Sequence, residues 1–377
     1  MPLPFDVLEE FPIALEASYL NHAASAPLPR RSAAALRRYT DDRQQLVHLY
    51  QTGTQDYDVT SLRNKLGALL NAAPAQIGFV PTTTDGIGAV LNGLPWRAGD
   101  NVVVPANDFP GVLYACLHLG HRGVEVRQVA TTDGHLELET LIAALDDRTR
   151  AVVVSHVHWQ TGHRIDLARL GAACRSRGVL SIVDAIQSLG VMPIDASASA
   201  VDVLVAGTYK WLCGIHGLAV LYTSEQALAA GLPDRAGWAS MRTSVYAEPA
   251  LDWAPDATRF AVGGASDGAL MVLDRSIELL LEVGITAIAA HTIALTDRLV
   301  AGLGQSTVKV NSSLEAANRS AIVSLTTGDR DRDRRLVRSL AERRIIVAHR
   351  GPGIRVSPHL HNSAADIDRL LTAIHAF

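Results

Sequence analysis

The apolar positions of the first two-thirds of the chain gather into seven short, β-branched runs: IGFV (77–80), NVVV (101–104), VEVRQV (124–129), AVVVS (151–155), VLSIV (179–183), VDVLVA (201–206) and GLAVLY (217–222). Several are apolar without alternation, the pattern of strands covered on both faces. Segments with helical spacing separate most of them, among them LETLIAALDD (138–147) and DLARLGAACRSRG (166–178), the second ending on a glycine stop. Strands alternating with helices predict an α/β fold: a mainly parallel seven-stranded sheet with helices on both faces. The last two runs are joined by a link too short for a helical crossover, so GLAVLY is predicted to run antiparallel.

The pattern changes after residue 230. Residues 231–258 read as a long loop with little periodicity, and 267–303 as a long helical stretch. AIVSLT (321–326), a charged helix over 329–344, IIVAH (345–349), GIRVSP (353–358) and a last helix from Ala364 then predict a smaller α+β domain. The arginine and aspartate run at 329–338 reads as a solvated helix face. The expected organisation is an N-terminal segment (1–20) packing with the small domain, a large domain (21–250) and a small C-terminal domain (251–377).

Composition narrows the possibilities. With 48% apolar and 19% charged residues in 377, the chain has the balance of an ordinary globular protein. Its net charge of −4 offers no basic field for nucleic acid. No run reaches the roughly 18 apolar residues of a membrane span. The start, MPLPFDVLEEFP, lacks the basic and apolar regions of a signal peptide. Three cysteines (Cys116, Cys174, Cys213) without Cys-x-x-Cys spacing point to a reducing compartment, and the cytoplasm is the expected location.

Lysine is nearly absent. Of 34 basic side chains only Lys65, Lys210 and Lys309 are lysines. Arginine replaces lysine as a surface charge but not as a Schiff-base amine, which singles out Lys210 in AGTYKWLCGIHGLAVLY (206–222); the plainer reading is a solvated lysine after a strand. PTTTDGIGAVLNGL (81–94) offers hydroxyls and free N–H groups to an anion, or simply caps a helix. In SIVDAIQSLG (181–190), Asp184 at a strand end calls for a cationic partner such as a protonated pyridine nitrogen, or else caps a helix. SHVHWQTG (155–162) and the following His163 allow a metal reading through His156, His158, His163 and Asp184, whereas Trp159 and Gln160 suit the wall of a planar cofactor. Arg355, in GPGIRVSPHLHN (351–362), suits a substrate carboxylate or a surface ion pair. A phosphate cradle, a carboxylate, an aromatic wall, a Schiff-base lysine and a carboxylate clamp together match the needs of pyridoxal 5′-phosphate.

From YLNHAASAPLP (19–29) to VSPHLHNSAADIDRLL (356–371), the chain resembles the class V aminotransferase family of fold type I pyridoxal-phosphate enzymes, most specifically in VDAIQSLG, GTYKWLCGIHG and IRVSPHLHN. The resemblance implies that Lys210 forms the Schiff base and that Asp184 keeps the pyridine nitrogen protonated. It places Gln187 on the ring's phenolic oxygen, Thr83, Thr84 and Tyr209 at the phosphate, and Phe109 against the ring, beside the wall already expected of Trp159. Arg355 would bind the substrate α-carboxylate, with Asn21 and His22 near the substrate. Gly264 stands where many relatives carry a threonine reaching the neighbouring subunit's phosphate, which implies a homodimer with the site at the subunit interface. Phe109 replaces a histidine common in relatives. No cysteine follows Cys213, whereas the family's desulfurases carry their persulfide-forming thiol in a C-terminal loop.

The expected function is therefore pyridoxal-phosphate-dependent C–S cleavage (β-elimination) of a cysteine S-conjugate, with no metal ligands. Transamination, isopenicillin-N-epimerase-like racemisation, and a decarboxylating or oxidative variant are alternatives that use the same residues. The 231–258 loop, with Trp238, Arg242, Tyr246 and Trp253, and also His216, His349 and Arg350, are further candidates for the substrate pocket.

Overall fold

The structure, a computed structural model, describes residues 7–45, 57–243, 250–304, 306–351 and 353–377; Tyr246 lies outside them. After a two-residue strand β1 (Ser18–Tyr19), all seven apolar runs form strands: β2 (Ile77–Val80), β3 (Asn101–Pro105), β4 (Glu125–Val129), β5 (Thr149–Ser155), β6 (Leu180–Asp184), β7 (Val203–Gly207) and β8 (Ala219–Thr223). They make one sheet of order β2-β8-β7-β6-β5-β3-β4. Five neighbours, from β4 to β7, run parallel, and β8 runs antiparallel to both β7 and β2, as the short link before it requires.

The missing alternation has a direct cause. Along β3, Val103 joins one apolar core while Val102 and Val104 join the other; along β5, Val152 and Val154 face one way and Ala151 and Val153 the other. Both faces are dry, so both sets of positions are apolar. Helices α1 (Arg30–Gln44), α2 (Thr60–Leu70), α3 (Thr83–Gly93), α4 (Pro110–His118), α5 (Leu138–Ala143) and α6 (Leu167–Arg175) follow the early strands. Helix α5 is shorter than the run 138–147 suggests. Beyond it, Asp146 accepts hydrogen bonds from Asn101 Nδ2 at 2.8 Å and the Arg148 amide at 3.0 Å, which turns the chain into β5.

Next come α7 (Ala196–Ser199), α8 (Glu225–Ala230), α9 (Asp267–Val283) and α10 (Ile285–Leu303). The predicted single helix over 267–303 is thus two, bent by 77° at Gly284, whose φ of +85° suits glycine and ends the first helix. The bend changes the core: α9 packs on the large sheet through Leu270, Leu273, Ile277 and Leu280, whereas Leu295, Leu299 and Leu303 of α10 join a second cluster. Among the described residues, no single helix is long and apolar enough to cross a membrane.

That second cluster lies under a four-stranded sheet of order β12-β13-β10-β9, built from β9 (Lys309–Val310), β10 (Val323–Thr326), β12 (Ala348–Arg350) and β13 (Gly353–Val356). The run IIVAH splits, because β11 (Ile345–Ile346) pairs in parallel with β1 while β12 pairs with β13. The N-terminal strand is thereby tied to the C-terminal part of the chain. Helix α11 (Arg330–Glu342) buries Leu336 and Leu340 and leaves most of its charges in water, and α12 (Ala364–His375) closes the cluster. The two parts meet at Gly162 (φ +71°), where an added Cβ would lie 2.3 Å from the Ile322 carbonyl.

Candidate active site

The carboxyl ends of β2, β3, β6 and β7 converge on a cavity of about 160 Å³, the place an open α/β sheet offers a ligand. A larger cavity, of about 320 Å³, opens beside Trp96, Arg97 and Leu180, where the polar groups Asp100 and Arg150 already pair at 2.9 Å.

Lys210 enters the smaller cavity from the turn after β7. That turn is fixed by three bonds: Gly214 N–H to the Thr208 carbonyl (2.8 Å), Cys213 N–H to the Lys210 carbonyl (3.0 Å) and Thr208 Oγ1 to the Ile215 carbonyl (2.7 Å). Lys210 is 7% exposed, and its Nζ lies 5.9 Å from the centre of the Phe109 ring and 5.6 Å from that of Tyr209. No ion pair closes on it among the described residues. Burial lowers its pKa, the Asp184 charge acts against that, and Arg355 and Arg350 lower it further.

Asp184 ends β6, directly opposite Ser155 of β5. It is buried, accepts the Ile186 N–H at 2.9 Å and forms no salt bridge with a described residue. Burial raises its pKa, the negative charge of Asp108 adds to the rise, and Lys210 opposes it. A cation placed beside Asp184 would relieve both unfavourable terms.

At the other end of the cavity Thr82 caps α3, its Oγ1 accepting the Asp85 N–H at 3.0 Å. The amides of Thr83 and Thr84, inside the first turn, are left to a ligand. Thr83 Oγ1 accepts the Gly207 N–H at 2.9 Å, and Thr84 is exposed on the cavity wall. Tyr209 stands beside them with its ring stacked on His216, centroids 3.8 Å apart.

Phe109 lines the cavity and meets Trp159 edge-to-face at 5.7 Å. Trp159 itself is held by its carbonyl, which accepts Arg355 Nη1 at 2.7 Å. Arg355 is only 2% exposed, its Nε has no partner, and no carboxylate pairs with it among the described residues. A buried guanidinium in that state is suited to pair with a carboxylate. Asn21 bridges to Ser357, two residues from Arg355, and its buried Oδ1 is also unpartnered.

Other candidates fall elsewhere. Gln187 does not line the cavity: its amide donates to the Ala23 carbonyl (3.1 Å) and accepts from Trp211 Nε1 (2.9 Å). Gly264 borders an adjoining cavity with Asp85 and Arg235. His22 lies under the lysine turn, stacked on Trp211 and hydrogen-bonded to His361 at 3.3 Å. His158 and His163 are engaged separately, by Thr161 and the Asn107 carbonyl and by the Leu136 carbonyl. Among the described residues the histidines with metal-ligand spacing are instead His22 and His359, grouped with Cys213 within 4.8 Å in a packed aromatic core. Asp108 went unnoticed in the sequence. It is buried, and its carboxylate binds the Phe109 amide and both the amide and hydroxyl of Ser155, so it ties the Phe109 turn to β5 beside Asp184. An acidic residue three positions past the end of a buried strand was the available signal.

Such a site, on such a sheet, defines a pyridoxal-phosphate-dependent enzyme of fold type I. The family model for class-V aminotransferases matches residues 18–370, and the chain belongs to that family. It is 26% identical to an uncharacterized aminotransferase, YcbU, of Bacillus subtilis over 99% of this chain and 98% of the relative. It is 30% identical to a cysteine desulfurase of Salmonella newport over 76% of this chain and 72% of the relative. In structure it is similar to the cystine C–S lyase C-DES in complex with its product cysteine persulfide, with a TM-score of 0.87, 26% identity, and coverage of 97% of this chain and 99% of the other. A C-DES structure with glycine covalently linked to the PLP cofactor superposes with a TM-score of 0.88 at 25% identity, covering 98% of each chain. The chain is a pyridoxal-phosphate enzyme related to desulfurases and C–S lyases.

Proposed function

We propose that this enzyme cleaves the C–S bond of an S-substituted cysteine by β-elimination, releasing a thiol or persulfide and, after hydrolysis, pyruvate and ammonia. The observation that carries the choice is the state of the chain's thiols. Cys116, Cys174 and Cys213 are all buried, none lines the cavity, and burial pushes the Cys174 and Cys213 thiols up to about 12 and raises that of Cys116 as well. Desulfuration through a protein persulfide needs a thiolate that can reach substrate. Elimination needs none, because the substrate brings its own leaving sulfur.

The cofactor fits the residues present: Asp184 forms no salt bridge with a described residue, the first amides of α3 have no partner within the helix, and Lys210 is a buried amine. In this reading Thr83, Thr84 and Tyr209 hold the phosphate, Asp184 the ring nitrogen, Phe109 flanks the ring with Trp159 behind it, and Lys210 is the covalent attachment point. When bound, the cofactor supplies an electron sink for negative charge at the substrate carbon bearing the amine. Arg355 holds the carboxylate and so fixes which bond at that carbon is broken. Once the substrate's own amine has taken its place on the cofactor, the freed Lys210 Nζ, biased toward its neutral form by burial, would take the proton from that carbon as general base. Loss of the β-sulfur with its bonding electrons completes the elimination.

Three unpaired, buried cysteines support a reducing, cytoplasmic setting. A homodimer belongs to the same reading: exposed Trp238 and Val262 flank Gly264 at the adjoining cavity. Transamination is the second reading, favoured by the likeness to the Bacillus subtilis protein. Incubation with S-substituted cysteines, followed by mass identification of products, separates the two. Pyruvate, ammonia and thiol in equal amounts are expected; a keto acid that retains the sulfur would overturn the proposal.

A further inference from the structure

The phosphate end of the cavity carries a group that the mechanism above does not use, although its residue type made it a candidate for the substrate pocket. His216 lines the cavity together with Thr82, Thr83, Thr84 and Tyr209. Its backbone belongs to the lysine turn, braced by the Thr208 hydroxyl on the neighbouring Ile215 carbonyl, and Gly217 beyond it adopts φ +88°. The imidazole lies flat on the Tyr209 ring, with an interplanar angle of 23°. It is exposed, yet it makes no hydrogen bond or ion pair with a described residue. The ring is thus held in place by stacking while its polar atoms stay free.

The charged side chains beside the start of α3 are engaged with each other. Asp85, at the third position of α3, is negative and receives the Thr82 hydroxyl at 2.6 Å, with Arg235 against its other side at 3.8 Å. Among the described residues on the cavity wall Lys210 is the one cationic lysine or arginine, and it is assigned to the opposite end. The cradle on α3 therefore rests on backbone N–H groups, hydroxyls and whatever His216 contributes.

We infer that His216 is a phosphate-binding residue of this enzyme, donating an imidazole N–H to the cofactor's phosphate and using Tyr209 as the platform that aims it. The inference rests on the cofactor assignment and not on the reaction chosen above, so it survives if the enzyme proves to be a transaminase.

The test compares two ligands on the full chain stripped of cofactor, pyridoxal 5′-phosphate and pyridoxal, titrated by their absorption. His216→Ala should weaken pyridoxal 5′-phosphate by about tenfold, the size of one hydrogen bond to a charged group, and leave pyridoxal within about twofold of wild type. His216→Gln, which keeps an N–H donor, should recover part of the loss. The ³¹P resonance of bound cofactor should shift in the alanine variant. Equal loss for both ligands would mean that His216 acts only by packing on Tyr209, and no loss with an unchanged ³¹P signal would remove the role; either result overturns the inference. Circular dichroism of each variant confirms that the comparison is made on folded protein.

Discussion

Replacing Arg355 by methionine should make the ligand-free protein more stable and at the same time unable to bind substrate. The guanidinium is 2% exposed and has one hydrogen bond, to the Trp159 carbonyl at 2.7 Å. Burial, with Arg350 nearby, drives its pKa from the ordinary guanidinium range down to about 9. Each tenfold displacement of a proton equilibrium is worth ~1.4 kcal/mol, so the buried charge costs the fold on the order of 5 kcal/mol. The sign follows from linkage: the folded-state pKa is depressed, so at neutral pH both states are charged and the whole penalty is present, easing only as pH rises through the folded value. Methionine keeps the length and apolar stem, removes the charge, and strands the Trp159 carbonyl at about 1–3 kcal/mol. The net is a gain on the order of 3 kcal/mol. Differential scanning calorimetry without ligand should therefore show a higher Tm for Arg355→Met. Titration with S-methylcysteine should stabilise the wild type and leave the variant unmoved. A lower Tm combined with undiminished binding would refute both the buried-charge reasoning and the carboxylate clamp.

Three further outcomes are expected. Lys210→Ala should lose the visible band that borohydride bleaches, together with about 10²–10⁴-fold or more of turnover, while near-wild-type circular dichroism shows that the fold survives; absorption spectra before and after reduction check this. In cofactor-free protein, burial raises the Asp184 pKa above that of the unfolded chain, about 3.9, so the folded state holds a proton the unfolded state has lost and stability falls as pH rises through that window; Asp184→Asn should flatten the slope, measured by urea unfolding at a series of pH values, and an unchanged slope would place the titration elsewhere. Cys213→Ala should cost about 1 kcal/mol of stability at a packed position and leave C–S cleavage intact, as product assays on S-methylcysteine would show.

The seven strands could be read in the sequence because both faces of the sheet are dry, and a run such as AVVVS has no other stable use. The strand ends pointed to Asp184, the PTTTDG segment and Lys210, and the family resemblance singled out Thr83 and Thr84; these four residues line one cavity. What escaped the sequence was set by partners far along the chain. The glycine at 284 was visible, but the bend it makes depends on α9 and α10 packing into different cores. Gln187 sits one turn past Asp184, yet its amide is claimed by Ala23 and Trp211. Asp108 has no local signal of its own beyond its place after β3, and its bonds to Ser155 appear only once β3 and β5 are side by side. That no described carboxylate pairs with Arg355 likewise cannot be read from a linear pattern. It is a statement about every carboxylate that folding leaves out of reach.

The sharpest check is the mass of the intact protein, taken during turnover of cystine, beside the products in solution. Elimination without a protein thiol predicts an unmodified chain, with pyruvate and ammonia formed together and cysteine persulfide released. Sulfur attached to Cys116, Cys174 or Cys213, with alanine in place of pyruvate, would contradict it.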